Sequence, residues 1–138
     1  MNRVGDTFDR VVTLNRDDIA AFARSCGDSN PLHHDAELAK RSRFGGIIAS
    51  GPHYTSLFMG LAATHFAQSG GALGLEFTFQ FRRAVMADDT LAMRWEITSL
   101  ERKESLGGDL AALSGTITNQ DGVTVVTGRG KMLVHAAL

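Results

Sequence analysis

Ser50-Gly51-Pro52-His53-Tyr54-Thr55-Ser56-Leu57-Phe58-Met59-Gly60-Leu61-Ala62-Ala63-Thr64-His65-Phe66 is the stretch whose reading decides the fold. It opens as a helix should, because serine or glycine suits the N-cap and proline is favoured at the first helical position. Tyr54, Leu57, Phe58, Leu61, Ala62 and Phe66 then recur at helical spacing, and Met59 and Ala63 carry apolar character round to the opposite side. A helix apolar over so much of its circumference needs a large surface to cover it. Ser69-Gly70-Gly71 ends it.

The covering surface follows directly. Leu73, Leu75, Phe77, Phe79 and Phe81 alternate with Gly74, Glu76, Thr78, Gln80 and Arg82, which predicts a half-buried strand with the phenylalanines as core. Asp88-Asp89 makes a turn, and Leu91, Met93, Trp95 and Ile97 mark a second strand. Residues 101–109 are charged and contain glycine, so they read as a loop or an exposed hairpin end. Ala111, Leu113, Gly115 and Ile117 mark a third strand, and Asp121-Gly122 turns into a fourth over residues 123–134. The expected arrangement of this half is an antiparallel meander.

Upstream of the helix, Thr7 to Leu14 is β-prone and Asn15 ends it. From Arg16 the period becomes helical through Ile19, Ala20, Phe22 and Ala23, with Asp17 and Asp18 in the first turn, where the helix dipole favours negative charge. That helix stops near Gly27, and Asp35 caps a short one reaching Arg41. Segregated helices and antiparallel strands predict an α+β fold, a single domain over residues 1–138 with a curved sheet wrapped around the long helix.

Bulk properties narrow the function. The 138 residues carry a net charge of -1, with no lysine or arginine block, so nucleic acid and anionic membranes are not expected partners. Cys26 is the sole cysteine; it excludes an internal disulfide and reads as a small buried residue at a helix end. Asp6, Asp9, Asp17 and Asp18 interrupt the first twenty residues, and no stretch is apolar long enough to cross a bilayer, so the expected location is the cytoplasm. The histidines lack metal-site spacing, and no metal is expected.

Chemistry concentrates in Gly27-Asp28-Ser29-Asn30-Pro31-Leu32-His33, where a carboxylate and an imidazole stand five residues apart across a proline. Pro31 fixes its own φ and pushes Asn30 out of the α region, so the segment turns. Such a turn can aim Asp28 and His33 at one volume, and Leu32 beside them makes that volume partly dry. An acid and a base so placed can divide proton-transfer work.

The run Phe22-Ala23-Arg24-Ser25-Cys26-Gly27-Asp28-Ser29-Asn30-Pro31-Leu32-His33, with Asp35 and Ala39 beyond it, resembles the signature of the MaoC-like or (R)-specific enoyl-CoA hydratase family. Gly46-Ile47-Ile48-Ala49-Ser50-Gly51 before the long helix, and Phe81-Arg82-Arg83-Ala84-Val85 through Asp89-Thr90-Leu91, are similar to two further regions of that family. The resemblance implies a hot-dog fold, usually dimeric, that binds acyl thioesters at the subunit boundary. It implies hydration of trans-2-enoyl-CoA to (R)-3-hydroxyacyl-CoA, with Asp28 and His33 activating water and the Gly51 N–H stabilising the thioester oxygen.

Around these, the resemblance implies a substrate-facing set of Asn30, Ser50, His53, Tyr54 and Met59. Ser50 stands where such hydratases often carry histidine, and Met59 where they carry serine. The implied partner is an acyl-CoA or acyl-carrier-protein thioester, which is substrate; no cofactor is expected. A non-catalytic acyl-CoA-binding or partner subunit stays open as an alternative. A thioesterase does too, although residues 52–66 contain none of the acids such enzymes commonly place on the long helix.

Overall fold

Local signals place most of the elements. In the computed structural model, which describes residues 1–135, the order is β1 (Thr7–Thr13), α1 (Arg16–Ser25), a 3-10 turn (Pro31–His33), α2 (Ala36–Arg41) and α3 (Gly51–Ala67). Then follow β2 (Gly71–Phe81), β3 (Thr90–Lys103), a second 3-10 turn (Glu104–Leu106), β4 (Gly108–Thr118) and β5 (Thr124–His135). Asn15 caps α1 by accepting from the Asp18 N–H at 2.8 Å, and Asp35 caps α2 by accepting from the Leu38 N–H at 3.1 Å.

The five strands form one antiparallel sheet in the order β1-β3-β4-β5-β2, and α3 lies in its curve. Phe58 of α3 stacks on Trp95 of β3 with ring centroids 3.9 Å apart, while the Trp95 indole N–H donates to the Phe58 carbonyl at 2.9 Å. Both rings are fully buried, so truncating either to alanine removes about 3–5 kcal/mol of stability. Glycine makes room for this layer. A Cβ on Gly115 would lie 2.5 Å from both the Arg94 carbonyl oxygen and the Trp95 ring, and one on Gly130 would lie 2.5 Å from the Phe77 ring.

Four expectations are corrected. The meander holds only for β3, β4 and β5, because β2 pairs with β5. Residues 82–89 instead cross the end of the sheet, tied to residues 47–49 by Ala49 N–H to Val85 carbonyl at 2.8 Å and Ala87 N–H to Ile47 carbonyl at 2.9 Å. Second, the apolar alternation of β2 breaks at an irregularity between Gly74 and Glu76, and Leu73, Leu75 and Phe81 are exposed. Phe77 and Phe79 pack on the core; Phe81 does not belong to it. Third, the sheet covers α3 on one side only, so Met59 and Ala63 stay exposed. Fourth, Cys26 is exposed, since it sits beyond the last turn of α1. No described helix is long and apolar enough to cross a membrane.

Candidate active site

Asp28 is placed by the way α1 ends. Gly27 adopts φ +76°, its N–H donates to the Arg24 carbonyl at 3.1 Å, and the Asp28 N–H donates to the Ala23 carbonyl at 2.8 Å. This paired closure is the Schellman motif, and it throws the chain off the helix axis at Asp28. The carboxylate then accepts from the Asn30 N–H at 3.0 Å, and the Asn30 side-chain oxygen accepts from the Leu32 N–H at 3.1 Å. Proline at the first position of the 3-10 turn completes a local fold in which His33 follows Asp28 across one tight reversal.

His33 is buried, and both ring nitrogens are engaged. Nδ1 lies 2.7 Å from the Ile48 carbonyl oxygen, and Nε2 lies 3.1 Å from Asp28 Oδ2. A carbonyl only accepts, so Nδ1 carries a hydrogen, and the contact between Nε2 and the carboxylate needs a second proton between them. The pair is thus placed to share a proton, beside an open hollow that His33 lines. Asp28 remains about one-third exposed, which leaves its carboxyl group reachable. His34 steadies the turn from behind, with Nε2 2.9 Å from the Asp28 carbonyl oxygen.

The hollow has a volume of about 480 Å³, and its wall includes His33, Ile48, Gly51, Pro52, Tyr54 and Phe81, with Arg43, Arg82 and Arg83 also lining it. Gly51 begins α3, and its N–H has no acceptor among the described residues. A Cβ here would lie 2.8 Å from the Phe81 ring, so the side-chain-free residue lets that aromatic wall close on the helix start. Tyr54 is buried edge-on against Phe81 with centroids 5.9 Å apart, and burial pushes its phenol up to about 12. None of the three arginines enters an ion pair among the described residues.

Of the residues singled out from sequence, the fold brings Asp28, His33, Gly51 and Tyr54 to this region. Asn30 is exposed and does not line the hollow, and its side-chain oxygen is engaged in holding the turn between Asp28 and His33. Ser50 is buried at the N-cap position of α3; its hydroxyl has no partner among the described residues and makes no capping hydrogen bond, and the residue does not line the hollow. Met59 lies two turns along α3 on its exposed side. His53 points elsewhere, stacked on Phe22 of α1 at 4.5 Å, where burial lowers its pKa and the nearby Asp18 carboxylate partly offsets the effect.

Three wall features escaped the sequence reading: Ile48, whose backbone carbonyl holds His33; Phe81, read as core; and Arg43. Hollows of about 500 and 580 Å³ also lie on the outer sheet face, both lined by Thr78, Ser114 and Arg129, but the acid lining the first, Glu76, is engaged in an exposed ion pair with Lys131 at 3.7 Å, and neither hollow contains a histidine. Among the described residues no group of three His, Cys, Asp or Glu side chains converges as a metal site would require.

Comparison with known proteins agrees with this architecture. A family model described as MaoC like domain matches residues 2–116. An (R)-specific enoyl-CoA hydratase of Aeromonas caviae is 32% identical over 111 residues, spanning 80% of this chain and 79% of the relative. A mitochondrial 3-hydroxyacyl-[acyl-carrier-protein] dehydratase, FERN, of Solanum lycopersicum is 27% identical over 132 residues, spanning 96% of this chain and 77% of that protein. The solved structure of an (R)-hydratase from A. caviae involved in PHA biosynthesis superposes with a TM-score of 0.87 at 28% identity, covering 96% of this chain and 97% of the other. The sheet wrapped around α3 is thus the hot-dog fold.

Proposed function

The chain belongs to the MaoC-like domain family, and from that premise we propose that it is an acyl-thioester hydratase or dehydratase, most simply one that reversibly hydrates trans-2-enoyl-CoA to (R)-3-hydroxyacyl-CoA. The observation that carries this reading is the 3.1 Å pairing of His33 Nε2 with Asp28 Oδ2 beside the hollow that Gly51 opens. Hydration forms a C–O bond at the β-carbon and a C–H bond at the α-carbon, so one group must accept a proton from water while another supplies one. Asp28 accepts, and His33 Nε2 supplies the proton it shares with the carboxylate. The hydrogen bond from Nδ1 to the Ile48 carbonyl keeps the imidazole in that orientation. Negative charge grows on the thioester oxygen meanwhile, and the unengaged Gly51 N–H at the positive end of α3 is the group to receive it. Protons and electrons balance without any cofactor.

The carrier end of the thioester lies toward Arg43, Arg82 and Arg83, unpaired guanidiniums suited to phosphate, whether of coenzyme A or of a carrier-bound pantetheine. The protein works as a homodimer in this reading. The β2 edge exposes Leu73, Leu75 and Phe81, each more than half accessible, and an uncovered apolar edge invites a second strand. Phe81 belongs both to that edge and to the cavity wall, so a second copy would complete the site. Light scattering should return twice the chain mass; a monomer at micromolar concentration contradicts the dimer. Turnover across a panel of enoyl-CoAs from crotonyl-CoA upward, followed by loss of conjugated-thioester absorbance, tests the reaction itself. Activity that survives Asp28→Asn or His33→Ala intact overturns the assignment.

A further inference from the structure

A carbonyl oxygen has two lone pairs, yet the start of α3 offers the thioester only one backbone donor. Gly51 has a free N–H, Pro52 has none, and the His53 N–H is taken by the Ser50 carbonyl at 3.0 Å. Tyr54 sits one turn further along. Helix side chains lean toward the N-terminus, which carries the Tyr54 ring back over the turn that Gly51 begins. Phe81 confirms that closeness by touching both residues: its ring meets Tyr54 edge-on and fills the space where a Gly51 side chain would be. Tyr54 as a whole is only 4% exposed. Its hydroxyl oxygen makes no hydrogen bond among the described residues and is not sealed from solvent, and Tyr54 lines the hollow together with His33 and Gly51. A buried phenol normally finds a partner, and the Tyr54 hydroxyl has none among the described residues, which leaves it free for a ligand in the hollow that the residue lines.

We propose that the Tyr54 hydroxyl is the second hydrogen-bond donor to the thioester oxygen, acting with the Gly51 N–H on the developing enolate. The role rests on the hydration reading above. No proton is transferred, since the phenol only donates a hydrogen bond. Its proton stays on oxygen through the neutral range, as for any phenol of ordinary pKa 10.0, and burial, which raises it to about 12, acts in the same direction.

Tyr54→Phe keeps the ring and its contact with Phe81 while deleting the donor. For crotonyl-CoA hydration, kcat should fall by about 10²-fold with KM nearly unchanged. A second readout uses Asp28→Asn, whose expected turnover, slower by about 10³-fold, leaves time to observe bound substrate. Crotonyl-CoA bound to it should show red-shifted enoyl-thioester absorbance from carbonyl polarisation, and adding Tyr54→Phe should shrink that shift. A wild-type kcat in Tyr54→Phe, a loss confined to KM, or an unchanged absorbance shift overturns the role. If the wild type turns over in an Asp28-dependent way and Tyr54→Phe matches it, this role alone falls. If the wild type hydrates no enoyl-CoA, the hydration reading and this role fall together.

Discussion

Two hollows of similar size flank the first turn of α3, and each holds a buried histidine. One, of about 480 Å³, contains His33 with Gly51, Tyr54 and Phe81; the other, of about 430 Å³ between α1, β1 and α3, contains His53 with Phe22 and Asp18. In the first, the imidazole is held at both nitrogens, one by a backbone carbonyl and one by a carboxylate, and a free N–H and an unpaired hydroxyl open nearby. In the second, the imidazole stacks flat on a phenylalanine, and its Nδ1 has no partner among the described residues. Volume and a buried histidine are common to both. What separates them is convergence: donors and acceptors on three chain segments point at one space in the first hollow, while the second is chiefly packing.

That contrast can be broken by substitution. Asp28→Asn should have the largest effect, lowering enoyl-CoA hydration by about 10³-fold, as removal of a general acid-base partner does, with little change in melting temperature. Gly51→Ala places a methyl group 2.8 Å from the Phe81 ring and should lower kcat about tenfold by displacing the wall and the N–H. Pairing it with Phe81→Leu should restore part of the rate, and a rate that falls further would show the wall is not the cause. His53→Ala should leave kcat within about twofold while costing about 2 kcal/mol in denaturant unfolding, since it deletes a buried stacked ring. A large loss of activity there would erase the distinction between the hollows.

The smallest expected effect is on pH dependence. Burial holds the His53 pKa below its ordinary value of 6.5, so between the two values the unfolded chain binds the proton more readily than the fold. The stability this represents is complete above about pH 6.5 and is lost as pH falls toward the folded value. His65, also lowered by burial, acts in the same direction. His53→Phe should therefore flatten the slope of unfolding free energy below pH 6.5, measured by denaturant titration at several pH values. An unchanged slope assigns the dependence to other groups.

Much of this was legible beforehand because its causes are local. The Gly27–Pro31 turn could be read from two backbone-restricted residues, and α3 runs one residue beyond the expected helix at each end because its start signal lies in three consecutive residues. The β2 strand was legible as an element but not in its facing, since one irregularity near Leu75 changes which side chains point inward. His53 and Tyr54 are adjacent, and their opposite fates follow from about 100° of helical rotation, which sends one to α1 and the other to the cavity.

By itself, then, the sequence determined the elements, the turn that brings the Asp28 carboxylate to the His33 imidazole, and the glycine that starts α3, because each rests on the backbone preferences of a few neighbouring residues. Only the tertiary structure decided that Ile48 would offer its carbonyl to His33, that Phe81 would leave the core for the cavity wall, and that β2 would join β5. Those outcomes depend on the crossing of residues 82–89 over the sheet end and on which strand edge stays open. Main-chain groups and strand neighbours are the same chemistry in every sequence, so their assignment waits on the packing that brings distant segments together.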